Sequence, residues 1–423
     1  MKALVFHPSV APFVQQAARA LHEADALERF VTTVHEDPQS RSQRALMALG
    51  RVLCRDFSRQ LRRRAITEIP RTKVSSHPLG EWLRLAAGAV DRDGRVTDLI
   101  WEKTERAFDA RVSRSLTPDL TGVYGFEHSS LSTFRRARAL GLRVAYDVPA
   151  PDSEYVHDLL ARELENFPEL ETPYRWHTAA REARRLARRR DEWQAADVVI
   201  AASRFTRRSY AESGLDVSKV RVVPYGAPPA AGMDSLRDRR SPAGPLRLIW
   251  AGTFSIRKGA HYVLDAWRSH SLGRHATLRI FGAIDLPERL MRDLPDGVHL
   301  GGSVPRSQLF HEYDQADALL FPTLCDGFGM VATEAWSRGL PVITTDRAGA
   351  ADLLRPRENG LLIRAGESLA IAEVVAWCQD NRAQLAAMRE AALVTAAKWQ
   401  WSDYRRELLR VLTEAGFFSC AAS

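Results

Sequence analysis

The sequence contains few cysteines and no long apolar segment, and each of these shortages excludes a class of protein. No apolar run approaches the roughly 18 residues that a transmembrane helix needs. The opening MKALVFHPSV lacks the apolar core and the small-residue cleavage site of a signal peptide. The cysteines stand far apart without metal-ligand spacing, so we expect reduced thiols in a cytoplasmic protein. They are Cys54, Cys325, Cys378 and Cys420.

The basic residues are almost all arginine, because only six of the 60 are lysine. A net charge of +8 favours anionic partners such as nucleotides and lipid headgroups. The aromatic-plus-basic signatures of RNA- and DNA-binding modules are missing, so we expect no nucleic-acid partner. The length of 423 residues suits about two to three domains.

Short apolar strands alternate with helical patterns in both halves of the chain, which predicts parallel sheets in an α/β protein. One such helix is predicted over residues 13–27. The segment 226–245 is rich in proline, glycine and charge, and it is interpreted as a linker. Two doubly wound domains, 1–225 and 246–398, would then enclose a cleft beyond the carboxyl ends of their strands. The strand candidates are 3–6, 122–125, 144–146, 198–201, 246–252, 278–283, 318–323 and 341–345.

The region 40–118 fits this alternation poorly and is interpreted as an irregular, basic helical insertion. Within its segment 44–64, Arg44, Arg51, Arg55, Arg59 and Arg62 share one helical face opposite an apolar stripe. Such a helix either lies on an anionic membrane surface or presents a solvated face above a core. Asp91 and Asp93 have the spacing of a metal-binding Asp-x-Asp pair, but they lie in this irregular region and we expect no metal there.

The strongest motif is FPTLCDGFGMVATEAWSRGLPVITT, residues 321–345. Gly327 and Gly329 allow a ligand to approach the backbone closely, and a helix beginning near Met330 offers free N–H groups to an anion. Asp326 and Glu334, with seven residues between them, can both face the cleft. Because carboxylates accept hydroxyl hydrogen bonds, the pair suits a sugar and a ribose.

The second motif is WAGTFSIRKGAHYVLDAW, residues 250–267. A strand ends at Gly252, and Arg257 and Lys258 follow in a short loop before a helix. Two cations at the carboxyl end of a strand would bind a diphosphate, although a solvated loop charge is the alternative.

These two motifs resemble family 4 of the retaining glycosyltransferases, which have the GT-B fold of two facing Rossmann-like domains. The family pattern P-S/T-x-x-E-G-F-G-x-x-x-x-E-A is similar to residues 322–335, and the resemblance is strong over about 195–365. The terminal KWQWSDYRRELLRVL resembles the family's last helix, which implies that residues 399–423 cross back onto the first domain.

The resemblance implies a nucleotide-sugar donor, UDP- or GDP-linked, that needs no metal or other cofactor. It gives Glu334 the ribose hydroxyls and Asp326 the transferred sugar. Lys258 and Arg257 would neutralise the diphosphate leaving group, and the acceptor would be a glycan or lipid-linked molecule on the first domain. The backbone groups that would cradle the phosphate and the sugar belong to Gly327, Phe328, Gly329, Met330 and Val331.

Four features depart from the family pattern. Asp326 replaces the usual glutamate, and Thr253 stands where many members carry an arginine. The first strand is not followed by a glycine-rich loop, and residues 145–149 lack the family's histidine. The alternative polar pair is Glu127 and His128, with His128 either a catalytic group in the cleft or a structural residue. Two other functions therefore stay open: a nucleotide-sugar epimerase of the same fold, and a family member that binds without turnover.

Overall fold

The computed structural model describes residues 2–236 and 244–418, except 38–39, 41–42, 45–60, 62–63, 89 and 92. Two parallel sheets organise this part of the chain. The first has the order β3-β2-β1-β4-β5-β6-β7 and the second the order β12-β10-β8-β13-β14-β15, while β9 and β11 pair separately. The strands are β1 Ala3–Phe6, β2 Leu27–Thr32, β3 Val74–Ser76, β4 Gly122–Phe126, β5 Arg143–Val148, β6 Val198–Ala201, β7 Val220–Val222, β8 Leu246–Ala251, β9 Phe254–Ser255, β10 Ala276–Phe281, β11 Ile284–Asp285, β12 Val298–Gly302, β13 Ala318–Phe321, β14 Val342–Thr345 and β15 Gly360–Ile363.

Helices connect the strands and cover the sheets, as expected for parallel strands whose residues are apolar on both faces. The central strands β1, β4, β6 and β13 are buried along their whole length. The described helices are α1 Pro12–Glu23, α2 Leu79–Gly88, α3 Arg95–Arg114, α4 Leu131–Ala139, α5 Ser153–Asn166, α6 Pro173–Ala195, α7 Arg204–Glu212, α8 Ala260–Ser269, α9 Glu288–Met291, α10 Arg306–Gln315, α11 Met330–Ser337, α12 Ser368–Asp380, α13 Arg382–Lys398 and α14 Trp401–Glu414. None of them is both long and apolar enough to cross a membrane.

The last helix, α14, returns to the first domain. It starts at a capping box formed by Gln400 and Asp403. Tyr404 and Leu408 then enter the core of the first domain, which also contains residues of α1. Arg405 fixes the contact by donating to Glu23 and to the Gln16 side chain, both at 2.6 Å. Two facing Rossmann-like sheets with a returning helix confirm the expected GT-B fold class.

Some sequence-based expectations were wrong in detail. The predicted helix over 13–27 ends at Glu23 instead, because Asp25 turns the chain with a φ of +52° and β2 begins at Leu27. The insertion is also more regular than expected, since β3 extends the first sheet and α3 packs beside α4. Most of the basic segment 44–64 lies outside the described residues, so its membrane contact stays a prediction.

A buried carboxyl lies where the first sheet meets α14. Asp147, at the end of β5, accepts a 2.6 Å hydrogen bond from the Tyr124 hydroxyl, close to Tyr225 and Tyr404. Burial raises the pKa of Asp147 to about 7, far above its ordinary 3.8. The folded protein therefore favours the protonated form, and the stabilisation that this proton provides is lost as the pH rises from about 4 through 7.

We expect the stability of Asp147→Asn relative to wild type to be about 2–3 kcal/mol greater at pH 8 than at pH 5. The wild-type carboxyl ionises over this range, whereas the amide never does. Thermal unfolding of both proteins at the two pH values measures this gain. Asp158→Asn, at an exposed position on α5, is the matched control. A stability difference between Asp147→Asn and wild type that is the same at both pH values would contradict the raised pKa.

Candidate functional site

The loop between β13 and α11 forms the centre of the site. Gly329 has a φ of +82° and precedes the first residue of α11, so the strand-to-helix turn is sharp. A Cβ atom at this position would lie 2.5 Å from Cε1 of Phe321, which closes the position to any larger residue. Phe328 donates its N–H to Oδ1 of Asp326 at 3.3 Å, which holds the loop in front of the helix. The N-terminus of α11 thus faces the same space as the Asp326 side chain.

Lys258 meets this loop from the neighbouring strand. Its ammonium lies 3.6 Å from Oδ2 of Asp326 and 5.5 Å from the centre of the Phe321 ring. A Cβ atom at Gly252 would lie 3.0 Å from the same nitrogen, so the glycine leaves room for the lysine. Lys258 is only 14% exposed. The two sequence motifs therefore converge on one charged pair.

Arg257 is bound more loosely to the same loop. Its guanidinium donates to the carbonyl of Cys325 at 2.7 Å and lies 3.9 Å from Oδ2 of Asp326. The side chain is 35% exposed and lines a cavity beside the loop. Arg257 can therefore add positive charge to the site while it also anchors the loop.

Glu334 lies on α11 and pairs with Arg306 of α10 at 2.8 Å. Burial raises the pKa of Glu334, and the Arg306 guanidinium opposes this shift. The pairing holds the carboxylate in position. The sequence did not identify Arg306 as the partner of Glu334, since its only signal was its position in VPRSQLFHEY, ahead of the main motif.

The first domain holds the loop from the other side. The hydroxyls of Ser203 and Thr206, at the start of α7, donate to the carbonyl of Gly327 at 2.6 and 2.9 Å. A Cβ atom at Gly327 would lie 2.0 Å from the carbonyl oxygen of Pro149, just beyond β5. The two domains therefore meet backbone to backbone at the candidate donor site.

The structure does not place His128 beside Lys258 and Asp326. Its ring stacks on Trp101 of α3 with centroids 4.6 Å apart, and both ring nitrogens lack a hydrogen-bond partner among the described residues. Burial, the largest cause, moves the pKa of His128 far below its ordinary range. The backbone N–H donates to Glu192 at 2.7 Å, which fixes the turn after β4. This environment is that of a packed, neutral side chain.

The neighbour of His128, Glu127, instead lines a cavity of about 580 Å³ between α5 and α6. Arg257 lines the same cavity from the second domain. Asp91 lies elsewhere and accepts the N–H of Thr97 at 2.8 Å, which places it at the start of α3. No group of three metal-ligating side chains occurs in the described part of the chain.

Known proteins resemble this chain in sequence and in fold. Residues 245–381 match the family described as "Glycosyl transferases group 1". The amylovoran biosynthesis glycosyltransferase AmsK of Erwinia amylovora is 26% identical over 201 residues, 45% of this chain and 49% of that protein. A D-inositol 3-phosphate glycosyltransferase of Xylanimonas cellulosilytica is 24% identical over 242 residues, 52% of this chain and 58% of its own length. The chain thus spans about half the length of the curated relatives it matches.

A likeness in fold extends over the whole chain. The crystal structure of Anabaena HepE in complex with UDP has a TM-score of 0.60 at 15% identity, covering 98% of this chain and 100% of that one. HepE has also been solved in complex with UDP-glucose. The family match lies in the domain that carries Lys258, Asp326 and Glu334. Residues 245–381 are therefore similar to the group 1 glycosyltransferases, and the chain shares the GT-B fold.

Proposed function

We propose that this protein is a retaining glycosyltransferase that moves a sugar from a nucleoside diphosphate sugar to a hydroxyl acceptor. The observation that carries the proposal is the convergence of Lys258, Arg257 and Asp326 in front of the N-terminus of α11. Cations and a helix dipole suit a diphosphate, and the carboxylate suits sugar hydroxyls. The UDP-glucose complex of the similarly folded HepE supports a donor of this class.

In this mechanism the residues align the donor and stabilise the leaving group. Glu334 holds the ribose, and Lys258 and Arg257 neutralise the diphosphate as the sugar–phosphate bond breaks. The acceptor oxygen attacks from the face that the phosphate leaves, and its proton passes to a phosphate oxygen, so the anomeric configuration is retained. Charge stabilisation by preorganised groups is the main contribution of the protein. Neither the epimerase nor the non-catalytic alternative is favoured by a feature of this site.

The experiment is a donor screen with the purified protein. Each UDP-, GDP- and ADP-sugar is incubated with and without candidate acceptors, and nucleoside diphosphate release is measured. We expect one donor class to be turned over, and NMR of the product to show the anomeric configuration of the donor. Inversion would refute the retaining mechanism, and a donor that binds but is never turned over would indicate a binding protein.

We expect this activity to survive chelation, because Lys258 and Arg257 supply the charge that a metal ion would supply. The cognate reaction is assayed before and after treatment with EDTA and after adding back Mg²⁺ or Mn²⁺. Rates should agree within about twofold, whereas the removal of an essential metal Lewis acid forfeits several kcal/mol of transition-state stabilisation. Loss with EDTA and recovery with metal would overturn the metal-independent mechanism.

Glu334→Ala should raise the donor KM by about 10- to 150-fold, equivalent to losing a charge-assisted hydrogen bond of about 1.5–3 kcal/mol. The value of kcat should change less, because the ribose is bound equally before and during the reaction. Glu358→Ala, at a largely exposed surface position, is the control. An unchanged donor KM in Glu334→Ala would remove this residue from the donor site.

A further inference from the structure

The helix α2 is apolar in sequence, LGEWLRLAAG, and yet the structure buries none of its residues. Leu79 and Leu83 lie one turn apart on the same side of the helix and are 72% and 62% exposed. Neither belongs to a core cluster of the described residues. A helix of a globular domain normally turns its apolar side to the core. The first domain therefore leaves the apolar side of α2 in solvent.

The neighbouring helix α3 continues this apolar surface. The two helices pack side by side, since a Cβ atom at Gly80 would lie 2.8 Å from the side chain of Thr104. Val96 and Leu99, one turn apart on α3, are also exposed, while another side of this helix packs against α4. The outer face is the name used below for the four exposed side chains of Leu79, Leu83, Val96 and Leu99.

A groove lined by cations begins where the outer face ends. It lies between α3 and α6 and has a volume of about 530 Å³. Leu99 belongs to both the outer face and the lining of the groove. The apolar and the charged surfaces are therefore continuous. The cations that line the groove are Lys103, Arg106, Arg181 and Arg184.

The charge of the groove is not balanced by the protein. Glu102, the one carboxylate among the described lining residues, is buried and accepts hydrogen bonds from Arg106 at 2.7 Å and Arg184 at 2.6 Å. Lys103 has no ion-pair partner in the described part of the chain. Nε of Arg106 is buried there without a hydrogen-bond partner, although buried polar groups are nearly always paired. The groove thus has positive charge and donor capacity for an anionic ligand.

We propose that the outer face and the groove bind the surface of an anionic membrane, with a lipid headgroup in the groove and the four apolar side chains in the interfacial layer. Apolar side chains bordered by lysine and arginine are typical of elements that lie in the plane of such an interface. Long basic side chains also bury their aliphatic stems while their charged ends meet the headgroups. This contact uses no residue of the basic segment 44–64 and does not depend on the proposed transfer.

The spacing of charge and apolar surface favours lipid over a protein partner. Leu99 and Lys103 lie one turn apart on α3, so an occupant must offer apolar and anionic groups within a few ångströms of each other. Charged residues are depleted at the centre of protein interfaces. An anionic leaflet, in contrast, presents phosphates directly above its apolar chains over its whole area, and it attracts each nearby lysine and arginine.

The test is sedimentation of the purified protein with vesicles of phosphatidylglycerol or of phosphatidylcholine. We expect binding to the anionic vesicles to be at least about 10-fold stronger, since several cations meet the negative surface. About 1 M NaCl should weaken this binding, because the Debye length falls to about 3 Å. Equal binding to both lipids, or binding to neither, would overturn the proposal.

Two substitutions locate the contact. Leu83→Glu places a charge in the outer face and Lys103→Glu reverses one in the groove, and each should weaken binding to the anionic vesicles by about 10-fold or more. Their matched controls are Leu369→Glu and Lys398→Glu, at exposed positions on α12 and α13 of the second domain. Both controls should bind like wild type.

Melting temperatures establish that each variant is folded. If Leu83→Glu unfolds, Leu83→Ser replaces it and should weaken binding by about threefold through the lost apolar contact. An effect of Lys103→Glu without any effect at Leu83 would reduce the contact to charge attraction and refute the role of the outer face. Wild-type binding by the variants at both positions would show that the membrane contact lies elsewhere in the chain.

Discussion

Replacing Lys258 by alanine should lower kcat by about 10²–10³-fold and change the donor KM much less. The Lys258 side chain is 14% exposed and its ammonium is held between Asp326 and the Phe321 ring, so it is preorganised before the donor arrives. Negative charge on the leaving phosphate grows as the sugar bond breaks. An interaction that strengthens in the transition state lowers the barrier more than it tightens binding. Steady-state kinetics with the cognate donor measure both parameters.

Two related variants separate charge from shape at this position. Lys258→Arg should recover only part of kcat, because a planar guanidinium differs from a compact ammonium in reach and geometry. Arg257→Ala should have a smaller effect than Lys258→Ala, because the arginine is more exposed and is already bonded to the carbonyl of Cys325. A kcat close to wild type in Lys258→Ala would exclude this loop from the diphosphate site.

The second domain was largely predictable because its strands and its motif are local features. The four residues of ALLF in β13 are all buried. Gly329, which has a positive φ, ends the loop that follows this strand. The edge strands β12 and β15 were missed, since β12 is exposed over four of its five residues and lacks an apolar run. Hydrophobic periodicity reveals which residues of a strand are buried, and this signal is weakest in a strand that is largely exposed to solvent.

The contacts between the domains could not be read from the sequence. Ser203 and Gly327 are 124 positions apart, and nothing in either segment identifies the other as its partner. The same holds for Glu334 and Arg306, which lie on different helices. His128 shows the same limit: the sequence left open whether it is a cleft group or a structural residue, and its ring stacks on Trp101 of α3. Side-chain direction depends on tertiary packing that a pattern does not contain.

The proposed transfer also requires contacts that hold the two domains together around the loop. Glu163 of α5 meets the ring nitrogen Nε2 of His261 on α8 at 2.9 Å, and Arg204 donates its N–H to Asp352 at 2.7 Å. Together with the hydroxyls that bind the carbonyl of Gly327, these contacts join the two domains around the loop. Closure of this kind excludes water and aligns the reacting groups. The backbone at Gly327 is therefore where a small steric change should have a large effect on turnover.

Gly327→Ala should lower kcat/KM by about 100-fold, the loss that a displacement of about 1 Å can cause in an aligned site. The added methyl would lie 2.0 Å from the carbonyl oxygen of Pro149 and 2.8 Å from Cα of Ala150, and both are backbone atoms that cannot rotate away. The domains must separate to accommodate it. Separation would displace Asp326, which precedes Gly327 directly, from the first domain. Kinetics with the cognate donor and acceptor measure the loss.

Gly232→Ala is the matched control, because a Cβ at that linker position meets no atom within 4 Å. It should keep kcat/KM within about twofold of wild type. The clash lies beside Phe328, which packs in the core of the first domain, so the melting temperature of Gly327→Ala should also fall, and the kinetics are compared at a temperature where both proteins are folded. Small-angle scattering should show a larger radius of gyration for Gly327→Ala than for either other protein. Wild-type kinetics in Gly327→Ala would show that the backbone contact between Gly327 and Pro149 is not part of the active conformation.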